Sequence, residues 1–425
     1  MELSGRLGII ADDFTGALLV AGLLEGASIR APVYFRSDYL PEQHDASVLI
    51  IATRSRLLPV DESRKIISQA ANALKSAGCA SIIYKACASF DSTELGNIGP
   101  AADILSDLEG GLPVLMSAGY PVFGCTVHQG YLFYRERLVS ESIKAQDPLT
   151  PMSDPDLVRF LSLQTRSPVA LLSHRYLVQG FQAACERFRM LVDDGAKYVL
   201  ADTSDDNDVD ITVRLAVENN VVLVASDPVI EGFARLFARQ ANAPVSNGVP
   251  QKIGGPGAVI VGSVGPTASA QIAAFAEEHP FYTIGLLDPR GENAVVEAAL
   301  DWARKNIGDR PFGVSTAREY SDVARAQSVL GQIEAARKAE RLLAGIAKGL
   351  FEMGVRRLVV SGGETSGAII DALGIEEVTA LPPTQLGSGF CHAAYPAPMM
   401  LFLKSGKLGS DDVFAKALDQ MREKG

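Results

Sequence analysis

Residues 7–17 read LGIIADDFTGA: an unbroken apolar run, two carboxylates at its end, and a Thr15-Gly16-Ala17 step that opens the helix-prone stretch ALLVAGLLEG (17–26). A strand without polar alternation is one buried on both faces, as in a parallel sheet covered by helices. The same unit recurs at SVLIIAT (47–53), SIIYKA (81–86), PVLMS (113–117), VALLS (169–173), YVLAD (198–202) and VVLVAS (221–226), each followed by a helix-like segment. The pattern predicts a mainly parallel sheet with helices as its crossovers.

The alternation lapses after Phe237 into ANAPVSNGVPQKIGGPG (241–257), rich in Pro and Gly, and restarts with AVIVGSVG (258–265), FYTIGLL (281–287) and RRLVVSGG (356–363). Segment 323–352, rich in Ala, Leu and charged residues, reads as one or two helices. The expected fold class is α/β in two domains, each a mainly parallel sheet flanked by helices: residues 1–240, a linker at 241–257, and residues 258–425. Segment 118–156 has no clear period and reads as a long loop or hairpin of the first domain.

Composition agrees with that division. A chain of 425 residues favours two or three domains, and 47% hydrophobic with 21% charged residues is globular rather than disordered or collagen-like. A formal charge of −11, spread along the chain, argues against a nucleic-acid backbone as partner. Five cysteines far apart in sequence, without a CxxC pair, suit neither a disulfide framework nor a zinc site, and point to reduced thiols in the cytoplasm. No apolar stretch is long enough to span a membrane, and Asp12 and Asp13 interrupt what would otherwise be a secretory apolar core.

Three strand-to-helix turns carry the chemistry. In open α/β sheets the carboxyl ends of the strands form the ligand crevice, which is where Asp12 and Asp13 fall. Such carboxylates can hold a substrate hydroxyl, take its proton or bind Mg²⁺; equally, either can simply cap the helix. The second turn, Ala258 to Thr267, and the third, Leu358 to Gly367, end their strands in small residues that let backbone amides approach an anion. Ser361-Gly362-Gly363-Glu364-Thr365-Ser366-Gly367 is neither GxxxxGK[ST] nor GxGxxG, so a P-loop and a nicotinamide-binding fingerprint both lose support.

The pairing of Ala11-Asp12-Asp13-Phe14-Thr15-Gly16-Ala17 with Ser361-Gly362-Gly363-Glu364-Thr365-Ser366-Gly367 resembles the four-carbon acid sugar kinases. Tyr84-Lys85-Ala86-Cys87-Ala88-Ser89-Phe90-Asp91-Ser92, Thr126 to Phe133 and Pro148 to Pro155 are most similar to the 3-oxo-tetronate kinase branch, and Lys404-Ser405-Gly406 resembles the family's closing signature. The resemblance implies an N-terminal acid-sugar domain, a C-terminal ATP domain, an active site in the interdomain cleft, and transfer of phosphate to the terminal (C4) hydroxyl. It implies that Ser263, Gly362, Gly363, Glu364, Thr365, Ser366 and Gly406 line the nucleotide site. It also implies that Asp12, Asp13, Arg54, Lys85 and Asp91 face the acid sugar, with Asp12 or Asp13 as general base and Lys85 or Arg54 as partner of the substrate carboxylate. ATP follows from the resemblance; Mg²⁺ follows from phosphoryl-transfer chemistry, with no ligand set legible. A small-molecule acid sugar is the expected partner, and a homodimer is expected from the frequency of symmetric oligomers alone.

The chain departs from the family pattern chiefly on the sugar side. Leu18 and Leu19 follow Thr-Gly-Ala where an aspartate is usual, Cys125 stands in place of an arginine, and Ala86 and Ala88 replace hydroxyl residues. Asp227-Pro228-Val229-Ile230 replaces a glycine-rich stretch. Three readings follow: 3-oxo-tetronate as substrate, another acid such as threonate or erythronate, or a non-catalytic homologue that binds sugar acid or nucleotide. His128, three residues after Cys125, lacks the partners for a metal or nucleophile site and reads as a binding-loop or structural residue.

Overall fold

The computed structural model describes residues 5–41, 45–147, 150–240, 248, 250, 252–262 and 265–423. The chain divides into two compact units, Met1–Ser246 and Asn247–Gly425. Much of the Pro- and Gly-rich stretch between them lies outside the described residues.

In the first unit the main sheet is built from β1 (Arg6–Ala11), β2 (Val33–Tyr34), β3 (Val48–Ala52), β4 (Cys79–Lys85), β5 (Val114–Ser117), β9 (Val169–Leu172), β10 (Tyr198–Ala201) and β11 (Val222–Ala225). Their order is β2-β3-β1-β4-β11-β5-β10-β9, and the pairings are parallel. The apolar runs are continuous because the inner strands lie between helices: β1 is buried from Leu7 to Ala11 and β3 along its whole length. In-register pairing sets Ile9 beside Ile50 and Ile83, and Ala11 beside Ala52 and Lys85. Parallelism then brings the carboxyl ends of the strands to one edge. The chain leaves β1 for β2 and β3 on one side and then crosses to β4 on the other, so Asp12 and Lys85 flank the topological switch point.

Segment 118–156 is more ordered than its composition indicates. It holds a small antiparallel sheet, β6 (Cys125–His128), β7 (Tyr131–Tyr134) and β8 (Arg137–Leu138), joined by two-residue turns at Gln129-Gly130 and Arg135-Glu136 with positive φ throughout. Such turns match the twist of the flanking strands, but the second is made of residues that rarely mark it in sequence.

The second unit orders its strands β13-β14-β12-β15-β18-β17-β16: β12 (Gly257–Val261), β13 (Phe281–Thr283), β14 (Phe312–Ser315), β15 (Arg357–Ser361), β16 (Glu377–Ala380), β17 (Phe390–Ala393) and β18 (Met399–Lys404). The first five in that order are parallel, and β17 and β16 complete the sheet antiparallel. The strand expected over 281–287 stops at Thr283, and segment 323–352 forms parts of two helices, Tyr320–Leu330 and Gln332–Glu352, parted by Gly331 at φ 80°. Among the described residues no helix is long and apolar enough to cross a membrane.

Phe390 and Phe402 pair directly across β17 and β18 and stack at 4.2 Å between centroids, both buried. Replacing a ring in such a position by a methyl group costs the transfer energy and leaves a cavity. Phe402→Ala is expected to destabilise the second unit by about 3–5 kcal/mol, read from chemical denaturation followed by a probe in that unit. A loss below about 1 kcal/mol would show that the stacked pair contributes little.

Candidate functional site

The first turn delivers its two aspartates differently. Asp12 is fully buried, and Arg56 binds it through two parallel hydrogen bonds, Nε to Oδ2 at 2.8 Å and Nη2 to Oδ1 at 2.9 Å. Asp13 keeps 29% of its side chain exposed; its Oδ1 accepts the Gly16 amide at 2.6 Å, capping the helix Phe14–Gly26, while Oδ2 meets Arg56 Nη2 at 2.6 Å. The capping role and the place in the charged site therefore belong to one residue. Burial pushes the Asp13 carboxyl up, but Arg56, Lys85 and the Gly16 amide outweigh it and hold the carboxyl below its usual range.

Lys85, at the end of β4, is buried and paired with the equally buried Asp227, Nζ to Oδ1 3.2 Å. Burial would drive off its proton, yet the charges of Asp227, Asp13 and Asp12 keep the ammonium and raise its pKa. Gly16 makes room for it: a Cβ there would stand 2.1 Å from Lys85 Nζ. Arg54 adopts the left-handed conformation (φ 54°), and its guanidinium lies over the Phe14 ring, 5.8 Å from guanidinium carbon to centroid.

Asp91 belongs to an adjoining group. It accepts Ser89 Oγ at 2.8 Å and Lys144 Nζ at 2.7 Å, with Cys87 Sγ 3.5 Å away. Cys87 joins the two groups, since it feels Asp91, Arg56, Lys144 and Lys85 together. Cys125 is buried, donates to the Ala88 carbonyl at 3.3 Å, and has its thiol pushed up to about 12 by burial and the nearby Cys87 and Asp91. Lys144, from a segment without legible periodicity, supplies a cation beside this cysteine.

Sequence reasoning missed Arg56, Lys144 and the role of Asp227. Arg54 and Arg56 sit two apart in TRSRL, and sequence alone does not tell that Arg56 binds both aspartates. Asp227 was legible as a departure from a glycine-rich pattern; its burial against Lys85 depends on β11 lying beside β4. Of Leu18 and Leu19, where an acid was expected, Leu18 is a core residue and Leu19 is half-buried. His128 bonds Ser204 Oγ through Nδ1 at 2.9 Å and lies 5.2 Å, centroid to centroid, from His174, which in turn pairs with buried Asp208 at 2.9 Å. Among the described residues no three His, Cys, Asp or Glu side chains group to hold a metal.

In the second unit the turn after β15 is built for close approach. Gly362 takes φ 127°, a value that side chains disfavour, and caps the helix Gly363–Leu373, whose first-turn amides point out of its N-terminal end. Ser366 Oγ returns to the Gly362 carbonyl at 2.8 Å, and buried Thr365 lies so close to Gly262 that a Cβ there would stand 2.0 Å from its Oγ1. Gly363 and Glu364 are exposed, while Gly406 is buried in the loop after β18. Ser263 lies outside the described residues. Beyond the ends of β13 and β14, which follow β12 in the sheet, a cavity of about 670 Å³ is lined by Ile284, Leu286, Asp288, Arg290 and Thr316, among others.

A family model described as a sugar-binding N-terminal domain matches residues 7–233, and one described as a nucleotide-binding C-terminal domain matches residues 258–414. The chain belongs to the four-carbon acid sugar kinase family. It is 34% identical to a 3-oxo-tetronate kinase of Methylobacterium radiotolerans, over 99% of this chain and 100% of that one. It is 35% identical to one of Pseudomonas fluorescens, over 98% and 97% respectively. Among solved structures, a Salmonella typhimurium LT2 protein provisionally described as a tRNA synthase superposes with a TM-score of 0.85 at 28% identity, covering 98% of this chain and 100% of that one. Haemophilus influenzae protein HI1011 does so with 0.76 at 27% identity, covering 97% and 99%. The two family domains share the division into compact units, and the sugar-binding match contains the whole Asp12, Asp13, Arg56, Lys85 and Asp227 cluster.

Arg56→Met leaves Asp12 buried without its counter-charge and is expected to cost roughly 3–5 kcal/mol, measured by denaturant unfolding; the double variant with Asp12→Asn should recover much of that loss. For Asp13, whose pKa is depressed on folding, the stabilisation is present above the ordinary value of 3.8 and disappears as pH falls through the lower folded value. Asp13→Asn should therefore remove part of the pH dependence of stability below about pH 4, and an unchanged acid profile would contradict the assignment.

Proposed function

We propose that the chain is an ATP-dependent kinase that phosphorylates the terminal hydroxyl of a four-carbon acid sugar, with 3-oxo-tetronate as the first substrate to try and threonate or erythronate as the alternatives. The observation that carries the reading is the cluster at the carboxyl ends of β1, β3, β4 and β11, where half-buried Arg56 and buried Lys85 flank a partly open Asp13. The names borne by relatives about one-third identical over nearly the full length support the reaction class.

Asp13 is the residue assigned to the substrate hydroxyl. Both Asp12 oxygens are occupied by Arg56, whereas Asp13 is partly accessible. A depressed pKa makes Asp13 a weak base, which suits phosphoryl transfer: its loose transition state asks for an oriented hydroxyl more than for full proton removal. Arg54, over the Phe14 ring, and Lys85, which also meets Asp227, are the two cations assigned to the substrate carboxylate. Asp91, held by Ser89 and Lys144, is assigned to the substrate's remaining polar groups.

The turn 361–366 and Gly406 are assigned to the nucleotide phosphates, approached by first-turn amides and the helix dipole. The cavity beyond β13 and β14 lies one to two strand spacings from the end of β12, roughly 5–10 Å, and offers room for the nucleoside. Mg²⁺ supplies charge neutralisation in reactions of this class. Asp12 is closed off by Arg56, and no metal-holding group of three exists among the described residues, so no residue is assigned to that ion.

An ADP-release assay with ATP and Mg²⁺ against tetronates, 3-oxo-tetronates and related acids tests the reading. Turnover on one acid, lowered roughly 10²–10⁴-fold in Asp13→Asn, is the expected outcome. ATP binding without turnover on any acid would instead favour a non-catalytic binding protein.

A further inference from the structure

Lys404 closes β18, and its ammonium group lies inside the second unit, with 5% of the residue exposed. Its Nζ donates to Gln271 Oε1 at 3.0 Å and to Ser361 Oγ at 3.1 Å, and stands 5.5 Å over the Phe414 ring. All three partners are neutral. Among the described residues, the carboxylates and other lysines on the elements packed against it are exposed: Glu364 and Asp371 on the helix Gly363–Leu373, Lys407, Asp411 and Asp412 on the following loop, Lys416 and Asp419 on the helix Val413–Met421, and Glu277 and Glu278 at the far end of the helix Pro266–Glu278; His392, on the neighbouring β17, is half-buried. Arg357, at the other end of β15, spends its guanidinium on the carbonyls of Gly255 and Leu418. Elsewhere in the molecule a buried lysine is balanced, as Lys85 is by Asp227. A buried ammonium without an anion is costly, and a ligand that supplied the anion would relieve that cost.

Its position indicates where that anion comes. Ser361, which Lys404 touches, is the first residue of the turn 361–366, and the Gly362 amide donates to the Lys404 carbonyl at 2.9 Å. Gln271, fully buried and fixed at its oxygen by Lys404, uses its nitrogen to hold the carbonyls of Leu408, Gly409 and Ser410 at 3.0, 3.1 and 3.2 Å. One ammonium thus underlies both segments assigned to the nucleotide, the glycine turn directly and the Gly406 loop through Gln271.

We propose that Lys404 is an electrostatic positioning residue of the nucleotide site, a buried cation whose missing counter-charge is the polyphosphate of the bound nucleotide. The inference rests on the assignment of the turn 361–366 to nucleotide phosphates. Burial lowers the Lys404 pKa to about 8 in the free protein. An arriving polyanion favours the charged form, so above that pH binding must take up a proton, and affinity must fall as pH rises.

Isothermal titration of the full-length protein with ADP, at pH 7 and pH 9 in pairs of buffers with different ionisation enthalpies, reads the proton directly. At pH 9 the phosphates of ADP are already fully ionised and contribute no proton of their own. The expected result is uptake approaching one proton at pH 9 and little at pH 7, with affinity falling up to roughly tenfold per pH unit above 8. This measurement needs no variant. Lys404→Arg, charged at every accessible pH, should bind ADP without the uptake; Lys404→Met should bind at least about tenfold more weakly at pH 7 and also lack it. ADP binding without proton uptake at pH 9 overturns the inference while leaving the nucleotide assignment standing, and so does an uptake that persists in a folded Lys404→Met protein. Failure of the unmodified protein to bind ADP or ATP would overturn the nucleotide assignment and this inference with it.

Discussion

The sugar-side site depends on one constraint, the parallel register of β1 between β3 and β4. With Ala11 level with Ala52 and Lys85, the first residues beyond three neighbouring strands emerge at the same height. Asp12, Asp13, the Arg54-Ser55-Arg56 turn and Lys85 then meet without any long-range adjustment of the chain. A slip of one residue would turn Lys85 to the opposite face and bury the wrong side chain of every pair. Sheet packing, through buried residues such as Ile9, Ile50 and Ile83, is therefore what holds the charged groups together.

Charge balance then separates residues of the same type. Asp12 is sealed into a two-pronged pair with Arg56 and serves the architecture; Asp13 shares that arginine, caps a helix, and remains partly open. Lys85 is compensated inside the protein by Asp227, whereas Lys404 in the second unit has, among the described residues, neutral acceptors and an aromatic face. Buried ions with partners hold a site in shape, and a buried ion without one is open to a ligand of opposite charge.

The substitutions that set this chain apart on the sugar side are partly answered by other residues. Cys125 brings a neutral thiol where the family resemblance expects a guanidinium, but Lys144, from the same 118–156 segment, reaches that neighbourhood. Leu18 and Leu19 bring no acid, and Asp227 places one against Lys85 from the end of β11. Charge at this site is thus carried by different backbone positions.

The α/β class, most of the buried strands, the two acidic and glycine-rich turns and the family were legible in the sequence. Continuous apolar runs and their terminal turns are local properties, set by what lies within ten residues. The three-stranded β6–β8 sheet was not legible, because its strands are short and one turn uses Arg135 and Glu136 at positive φ. Nor was β14, four residues long and interrupted by Gly313. Only tertiary structure brought Arg56 onto both aspartates, paired Asp227 with Lys85 across 142 positions, and gave Lys404 neutral partners among the described residues. A side chain's charge is written in the sequence, but its energy depends on burial and on the neighbour it meets, and both are properties of the packed sheet edge.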